Sequence, residues 1–356
     1  MDFTGLKIGN LAAPIPIIQG GMGIGVSSSS LAGAVAKEGG IGIISTAQIG
    51  YNEENFESNF LAANLTALKK HIKLAKEKAI NGIVGINIMV ATNYYAEHVA
   101  AAIEAGIDLI ISGAGIPLHL PKLVKGTNTK IAPIVSTPKS ARVILKAWDI
   151  KHNVAPDMIV VEGPKAGGHL GFSTKDLDNI DSIDFEQYVK DIIELKKPYE
   201  EKYKKHIPIV PAGGIFNGED IAKYLRLGAD GVQMATRFVA TEECDADINF
   251  KMAYINSKKE DIAIVKSPVG MPGRAIINKF IKKISSENIK APKCYNCLIP
   301  CNPSTTPYCI SNALINAVKG NTDDGLIFCG ENAYRLDKIT TVKELMKELV
   351  NELTLA

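Results

Sequence analysis

Short runs of β-branched and other apolar residues alternate along most of the chain with stretches whose apolar residues recur three and four positions apart. The runs cover 15–19, 41–45, 83–89, 109–112, 131–136, 158–162, 207–211 and 231–236. Near-continuous apolar runs of this length predict parallel strands buried on both faces. The periodic stretches at 64–79, 94–105, 140–148 and 218–227 predict surface helices packed on them. Strands followed in turn by helices, eight in number, predict an α/β fold, a closed (β/α)8 barrel of the TIM type. An open, doubly wound sheet is the alternative that the strand count leaves standing. After about position 245 the alternation stops. There, 249–257 and 276–284 read as helices, and 267–274 as a Gly/Pro loop able to cover the barrel mouth. The stretch 341–350 is an amphipathic helix whose Val/Leu/Met stripe suits docking on the barrel or on a second subunit of a homodimer. The division expected is a barrel over 1–245 and a helical, cysteine-containing cap over 246–356.

Composition narrows the partners. The chain has 356 residues, enough for a large buried core, and carries 40 basic against 38 acidic residues with no basic block. That balance argues against nucleic acid. No apolar stretch reaches the roughly 18 residues that span a bilayer, and the first residues lack the layout of a signal peptide. The expectation is a cytoplasmic protein with a small-molecule substrate and no membrane partner. Six cysteines in a chain this long do not suggest a secreted disulfide scaffold.

Candidate chemistry sits at the strand ends, which a parallel barrel gathers on one face. Gly163-Pro164-Lys165-Ala166-Gly167-Gly168-His169 follows the run 158–162. It places a titratable imidazole in a loop whose glycines allow close backbone approach to a ligand. Loops after the last two strands of such barrels often hold a phosphate through backbone amides. Gly213-Gly214 and Ala235-Thr236 suit that role, since small residues leave the N–H groups open and Thr236 adds a hydroxyl. Gly21-Met22-Gly23-Ile24-Gly25 superficially resembles a dinucleotide fingerprint, but its third glycine is misplaced and no acidic residue ends the next strand. A Rossmann site is therefore rejected.

Taken together, Gln19-Gly20-Gly21-Met22-Gly23, Gly39-Gly40-Ile41-Gly42, Asn87-Ile88-Met89, Ala166-Gly167-Gly168-His169, Ala212-Gly213-Gly214-Ile215 and the segment 228–238 resemble the nitronate monooxygenase family, formerly the 2-nitropropane dioxygenases. The match in order and spacing spans roughly residues 10–245. The resemblance implies an FMN-dependent barrel that oxidises alkyl nitronates with dioxygen and without a nicotinamide cofactor. It places Gly21, Met22 and Gly23 against the isoalloxazine and Asn87 at its polar edge. Glu162 and Gly167 then bound the ribityl chain, while Ala212, Gly213, Gly214, Ala235 and Thr236 hold the phosphate. Gln19, Ser136, Gly168, Gln233 and Met234 complete the implied FMN contacts, and His169 is the implied catalytic residue. The FMN-dependent enoyl-acyl-carrier-protein reductases are similar through the same loops. The enzymatic alternative is thus an NAD(P)H-using reductase of enoyl thioesters, and a non-catalytic redox-sensing flavin or metal protein is the alternative of another class.

Other residues leave two readings each. Lys165 is a solvated loop cation or a second anion contact. His119 is structural or faces the site. Arg237 contacts the phosphate or pairs with a carboxylate such as Asp230 or Glu242, and Asp230 itself is expected at the far face of the barrel. Four cysteines crowd the cap: Cys294, Cys297, Cys301 and Cys309. Their spacing brings four thiolates within reach of one zinc ion or iron–sulfur cluster, the alternative being four reduced thiols in a loop-rich cap. Cys329 is expected to be buried and inert.

Overall fold

The eight apolar runs form the eight strands of a closed parallel barrel in the computed structural model, which describes residues 2–290 and 293–356. Numbered along the chain, the strands are β1 (Leu6–Ile8), β2 (Leu11–Ala13), β3 (Ile17–Gln19), β4 (Ile41–Ser45), β5 (Ile83–Met89), β6 (Leu109–Gly113) and β7 (Lys130–Val135). They continue with β8 (Ile159–Glu162), β9 (Gly168–His169), β10 (Ile209–Ala212), β11 (Val232–Met234), β12 (Ile262–Lys266) and β13 (Pro272–Ile276). Round the barrel the order is β3, β4, β5, β6, β7, β8, β10, β11 and back to β3, every pair parallel. Right-handed strand–helix repeats close in this way because each strand must bury both faces.

Inside the barrel, Ile18, Ile41, Ile43, Leu109, Ile111, Met158, Val160 and Val210 form one buried cluster. The antiparallel hairpin of β1 and β2 adds Leu6, Ile8 and Ala13 to that cluster. A second, larger cluster lies between strands and helices, filled by residues such as Leu31, Leu68, Ile72, Val99, Trp148, Val189 and Ile192. The helix Pro138–His152 shows why the local sequence folds as it does. Thr137 accepts the Ser140 N–H at 3.2 Å as an N-cap, Pro138 occupies the first turn, and Ala141, Ile144, Leu145 and Trp148 form the buried stripe.

Beyond the barrel the chain returns to it twice. β12 and β13 form a hairpin, and β13 pairs antiparallel with β9, matching Gly273 to His169 and Arg274 to Gly168. The segment read as a covering loop over 267–274 is therefore largely the turn and first strand residues of this hairpin. The helix expected from 276 is confined to Lys279–Ile284, because Ile276 ends β13. The final helix, Val342–Leu355, places Leu345, Met346, Leu349 and Leu353 in the same core as the barrel helices.

Candidate functional site

A cavity of about 520 Å³ opens at the C-terminal ends of the barrel strands. Its floor is set by register. β4 and β5 pair from Ile41↔Ile83 to Ser45↔Asn87, so Ser45 and Asn87 end side by side, and both line the cavity. The loop after β3 lies on them. A Cβ on Gly21 would sit 2.4 Å from the Asn87 Cβ, so only glycine permits this approach. The Ser27 hydroxyl accepts the Met22 N–H at 2.8 Å and fixes the loop from behind.

The opposite wall comes from the ends of β10 and β11. Gly213 and Gly214 have φ of +92° and +83°. A side chain on Gly213 would meet the Ala166 N at 2.9 Å, and one on Gly214 the Lys165 Cβ at 2.9 Å. Among the described residues neither amide donates to a protein acceptor. Successive open N–H groups in a left-handed turn, beside the Thr236 hydroxyl, make a cradle for an anionic group such as a phosphate. Asn332 holds the loop by donating from Nδ2 to the Gly214 carbonyl at 2.7 Å. Nearby, the buried Gln233 Oε1 has no hydrogen-bond partner among the described residues. A buried acceptor left open inside a cavity wall suits a bound donor.

Between these walls stand the titratable groups. Glu162 ends β8 and lines the cavity; burial pushes its carboxyl up to about 7. His169, in β9, stands edge-on to Phe328 with ring centroids 5.1 Å apart. Burial pushes its imidazole down to about 4, so the ring is neutral at pH 7. Its Nε2 lies 2.7 Å from the Ser267 hydroxyl. Arg274, buried in β13, donates to the carbonyls of Pro164 and Ala166 and ties the histidine loop to the hairpin.

The cavity lining includes Gly21, Met22, Gly23, Asn87, Ser136, Glu162, Gly167, Gly168 and His169. It also includes Ala212, Gly213, Gly214, Gln233, Met234, Ala235 and Thr236. Gln19 is a correction. Its carboxamide is turned away from the lining and wholly buried, accepting the Ile43 N–H at 3.1 Å, so it stitches β3 to β4. Lys165 lines the cavity near an ion partner, Glu331, at 3.7 Å. His119 stands at the start of the short helix Leu120–Leu123, outside the lining. Arg237 pairs with neither Asp230 nor Glu242 but with Glu348 of the last helix at 2.8 Å. Asp230 precedes β11 and accepts the Ile209 N–H.

The cysteines require a further correction. Among the described residues no three His, Cys, Asp or Glu side chains gather as a metal ligand set. All six thiols are free. Cys294 is exposed, Cys297 and Cys309 pack against the cluster of Ile24, Phe56, Tyr295 and Ile315, and Cys301 packs against the one holding Leu298 and Tyr308. Burial pushes Cys297 up to about 11. The sulfurs of Cys297, Cys301 and Cys309 serve as apolar wall, and Cys297 is part of the cavity lining. Cys329 is buried, and with Gly330 it also lines the cavity.

Several groups that line the cavity or support its wall carried no signal of that role in the sequence. Ser267, Phe328, Cys329 and Asn332 lie one to two hundred positions from the loops they meet. The tight approach of Cys329 to Gly167, where a Cβ would come within 2.5 Å of the Cys329 carbonyl carbon, shows how closely the cap is seated.

Comparison with known proteins follows the same lines. The family model described as nitronate monooxygenase matches residues 6–352. A probable nitronate monooxygenase of Staphylococcus aureus (strain Newman) is 26% identical over 293 residues, covering 77% of this chain and 79% of that protein. Among solved structures, FabK from Thermotoga maritima superposes with a TM-score of 0.73 at 26% identity, over 96% of this chain and 94% of that one. The nitroalkane oxidase from Streptomyces ansochromogenes gives 0.72 at 21% identity over 96% of both chains, a likeness of fold.

Proposed function

The chain belongs to the nitronate monooxygenase family, and from that premise we propose that it is an FMN-dependent enzyme oxidising alkyl nitronates with dioxygen. Flavin-type oxidoreductase chemistry comes with the family; FMN and the nitronate are the proposed refinements. The observation that carries the reading is that a single cavity joins an open amide cradle at Gly213 and Gly214 to a neutral histidine, His169.

Bound FMN supplies the electron chemistry. In this reading the amides of Gly213 and Gly214 and the Thr236 hydroxyl hold its phosphate, and Gly21 to Gly23 let the backbone approach its ring. Glu162 and the open Gln233 Oε1 accept from its hydroxyl or N–H groups. A carboxyl pushed up to about 7 is only about half ionised at neutral pH, so Glu162 repels an anionic substrate less than an ordinary carboxylate would. His169 contributes a hydrogen-bonding group to the nitronate oxygens, and Phe328, Leu326 and Leu298 line the cavity with apolar surface that excludes water.

The test is to mix FMN-loaded protein anaerobically with an alkyl nitronate and follow the oxidised flavin absorbance. Bleaching, followed by recovery on admitting air, is expected. His169→Ala is expected to keep its FMN and lose about 10²–10³ in turnover; loss of FMN with full turnover after reconstitution would sink the role given to the histidine. A second reading, an NAD(P)H-using reductase of enoyl thioesters, is favoured by Leu298, Ile310, Leu314 and Leu326. They give the cavity an apolar wall from the cap that suits an acyl chain. Bleaching by NAD(P)H and not by nitronate selects it.

A further inference from the structure

His169 has one ring nitrogen engaged and one free. Nε2 meets the Ser267 Oγ at 2.7 Å. Ser267 lies between β12 and β13 and is 2% exposed, so no bulk water competes for its hydroxyl. The Ser267 oxygen also receives the Val269 N–H, at 3.4 Å. That oxygen is therefore already supplied with a donor, and its own proton needs an acceptor. Among the described residues the acceptor within reach is His169 Nε2.

A proton on Nε2 could be accepted by the second lone pair of the Ser267 oxygen, but it would orphan that buried hydroxyl's own proton, which is penalised more heavily than a hydrogen bond is rewarded. A bare Nε2 satisfies both groups. We propose that Ser267 is a positioning residue that holds neutral His169 as the tautomer protonated on Nδ1, so that the ring offers the substrate an N–H donor. Nδ1 has no partner among the described residues, and His169 is part of the cavity lining. Burial, which disfavours the doubly protonated ring, keeps it neutral and leaves the choice of tautomer to Ser267.

This inference rests on the nitronate reading and deepens it. A donor suits an anion already formed, whose charge lies on its oxygens. It does not suit removal of a carbon-bound proton from a neutral nitroalkane, which needs a bare nitrogen facing the substrate. The enzyme is accordingly selective for the preformed nitronate over its parent nitroalkane.

The tautomer can be read without turnover. In holoenzyme labelled with 15N-histidine at about pH 7.5, long-range 1H–15N correlations identify His169 by its loss in His169→Gln. Nδ1 is expected in the protonated range and Nε2 in the unprotonated range. In Ser267→Ala the two shifts are expected to converge as tautomers mix. With nitronate, kcat in that variant is expected to fall about tenfold, the loss of one ordinary hydrogen bond, with little change in KM. Ser267→Thr, which keeps the hydroxyl, is expected to restore both readouts. A wild-type ring protonated on Nε2, or shifts unchanged in Ser267→Ala, overturns the proposal. Because the shifts need no substrate, a protein inert to nitronate would defeat the functional reading while the tautomer is still decided.

Discussion

Asp245 and Glu162 are carboxylates drawn out of water in two regions of the barrel, and their surroundings differ. Asp245 accepts the N–H groups of Ser28 at 2.9 Å and of Ser30 and Leu31 at 3.1 Å. It thereby caps the helix Ser29–Lys37, and the adjoining Ser27 holds Met22. Burial raises its pKa and the three donors pull it back down. Among the described residues Glu162 has no such donors: burial is the cause that acts on it, and it lines the cavity. Desolvation is offset from within the chain where the carboxylate fixes the backbone. It is left for a ligand to offset where the carboxylate faces the site.

Breaking the first half of that comparison should give the largest effect. Asp245→Ala leaves three backbone donors without their acceptor and is expected to lower stability by about 3–4 kcal/mol, read from the urea midpoint at constant m. A loss below about 1 kcal/mol would mean that the cap is incidental.

Next in size is the cradle. Gly213→Ala places a Cβ where φ is +92° and the Ala166 N lies 2.9 Å away. Stability is expected to drop by about 1–2 kcal/mol and flavin affinity by roughly tenfold, the latter followed by fluorescence titration. Undiminished affinity would remove this loop from the phosphate site.

The smallest effect sharpens the second half and appears in apoprotein. Glu162, raised to about 7, contributes stability that is full below its unfolded value of 4.5 and is lost as pH rises through 7. His169, lowered to about 4, contributes stability that is full above 6.5 and is lost as pH falls through 4. Between 4.5 and 6.5 the two slopes oppose each other. Wild-type apoprotein should therefore show little dependence from this pair. Glu162→Gln should uncover stability rising with pH, and His169→Gln stability falling with pH, each by at most about 1.4 kcal/mol per pH unit. Parallel profiles for all three proteins would show that neither group is buried in the way described.

Much of the barrel is legible in the chain because its signal is local. The runs 41–45 and 83–89 coincide with β4 and β5, since a β-branched stretch closed by Ser or Met is its own evidence. β1 and β2, three residues each, are too short to show a period. The 19-residue helix Phe185–Tyr203 is obscured in sequence by its internal Pro198 and its many charges. β9 pairs with β13 through Gly168 and Gly273, residues that read as loop because their strand state depends on a distant partner. The site divides in the same way. His169 and the glycine loops carry recognisable spacing, whereas Ser267 is one serine in a Gly/Pro segment until the hairpin brings it to the ring. Gln19 shows the converse, a motif residue whose side chain the register of β3 on β4 directs to the Ile43 backbone.

The pairing of β9 with β13 also sets a schedule. His169 is synthesised before its partner Gly273, with roughly a hundred residues still to come, and at about 5–20 residues per second that interval is on the order of 5–20 s. Over those seconds the nascent barrel can hold its strands but not its finished mouth. The histidine gains its serine, its aromatic neighbour and the arginine that secures its loop only when the carboxyl-terminal third arrives, so chemical competence is the last property this polypeptide acquires.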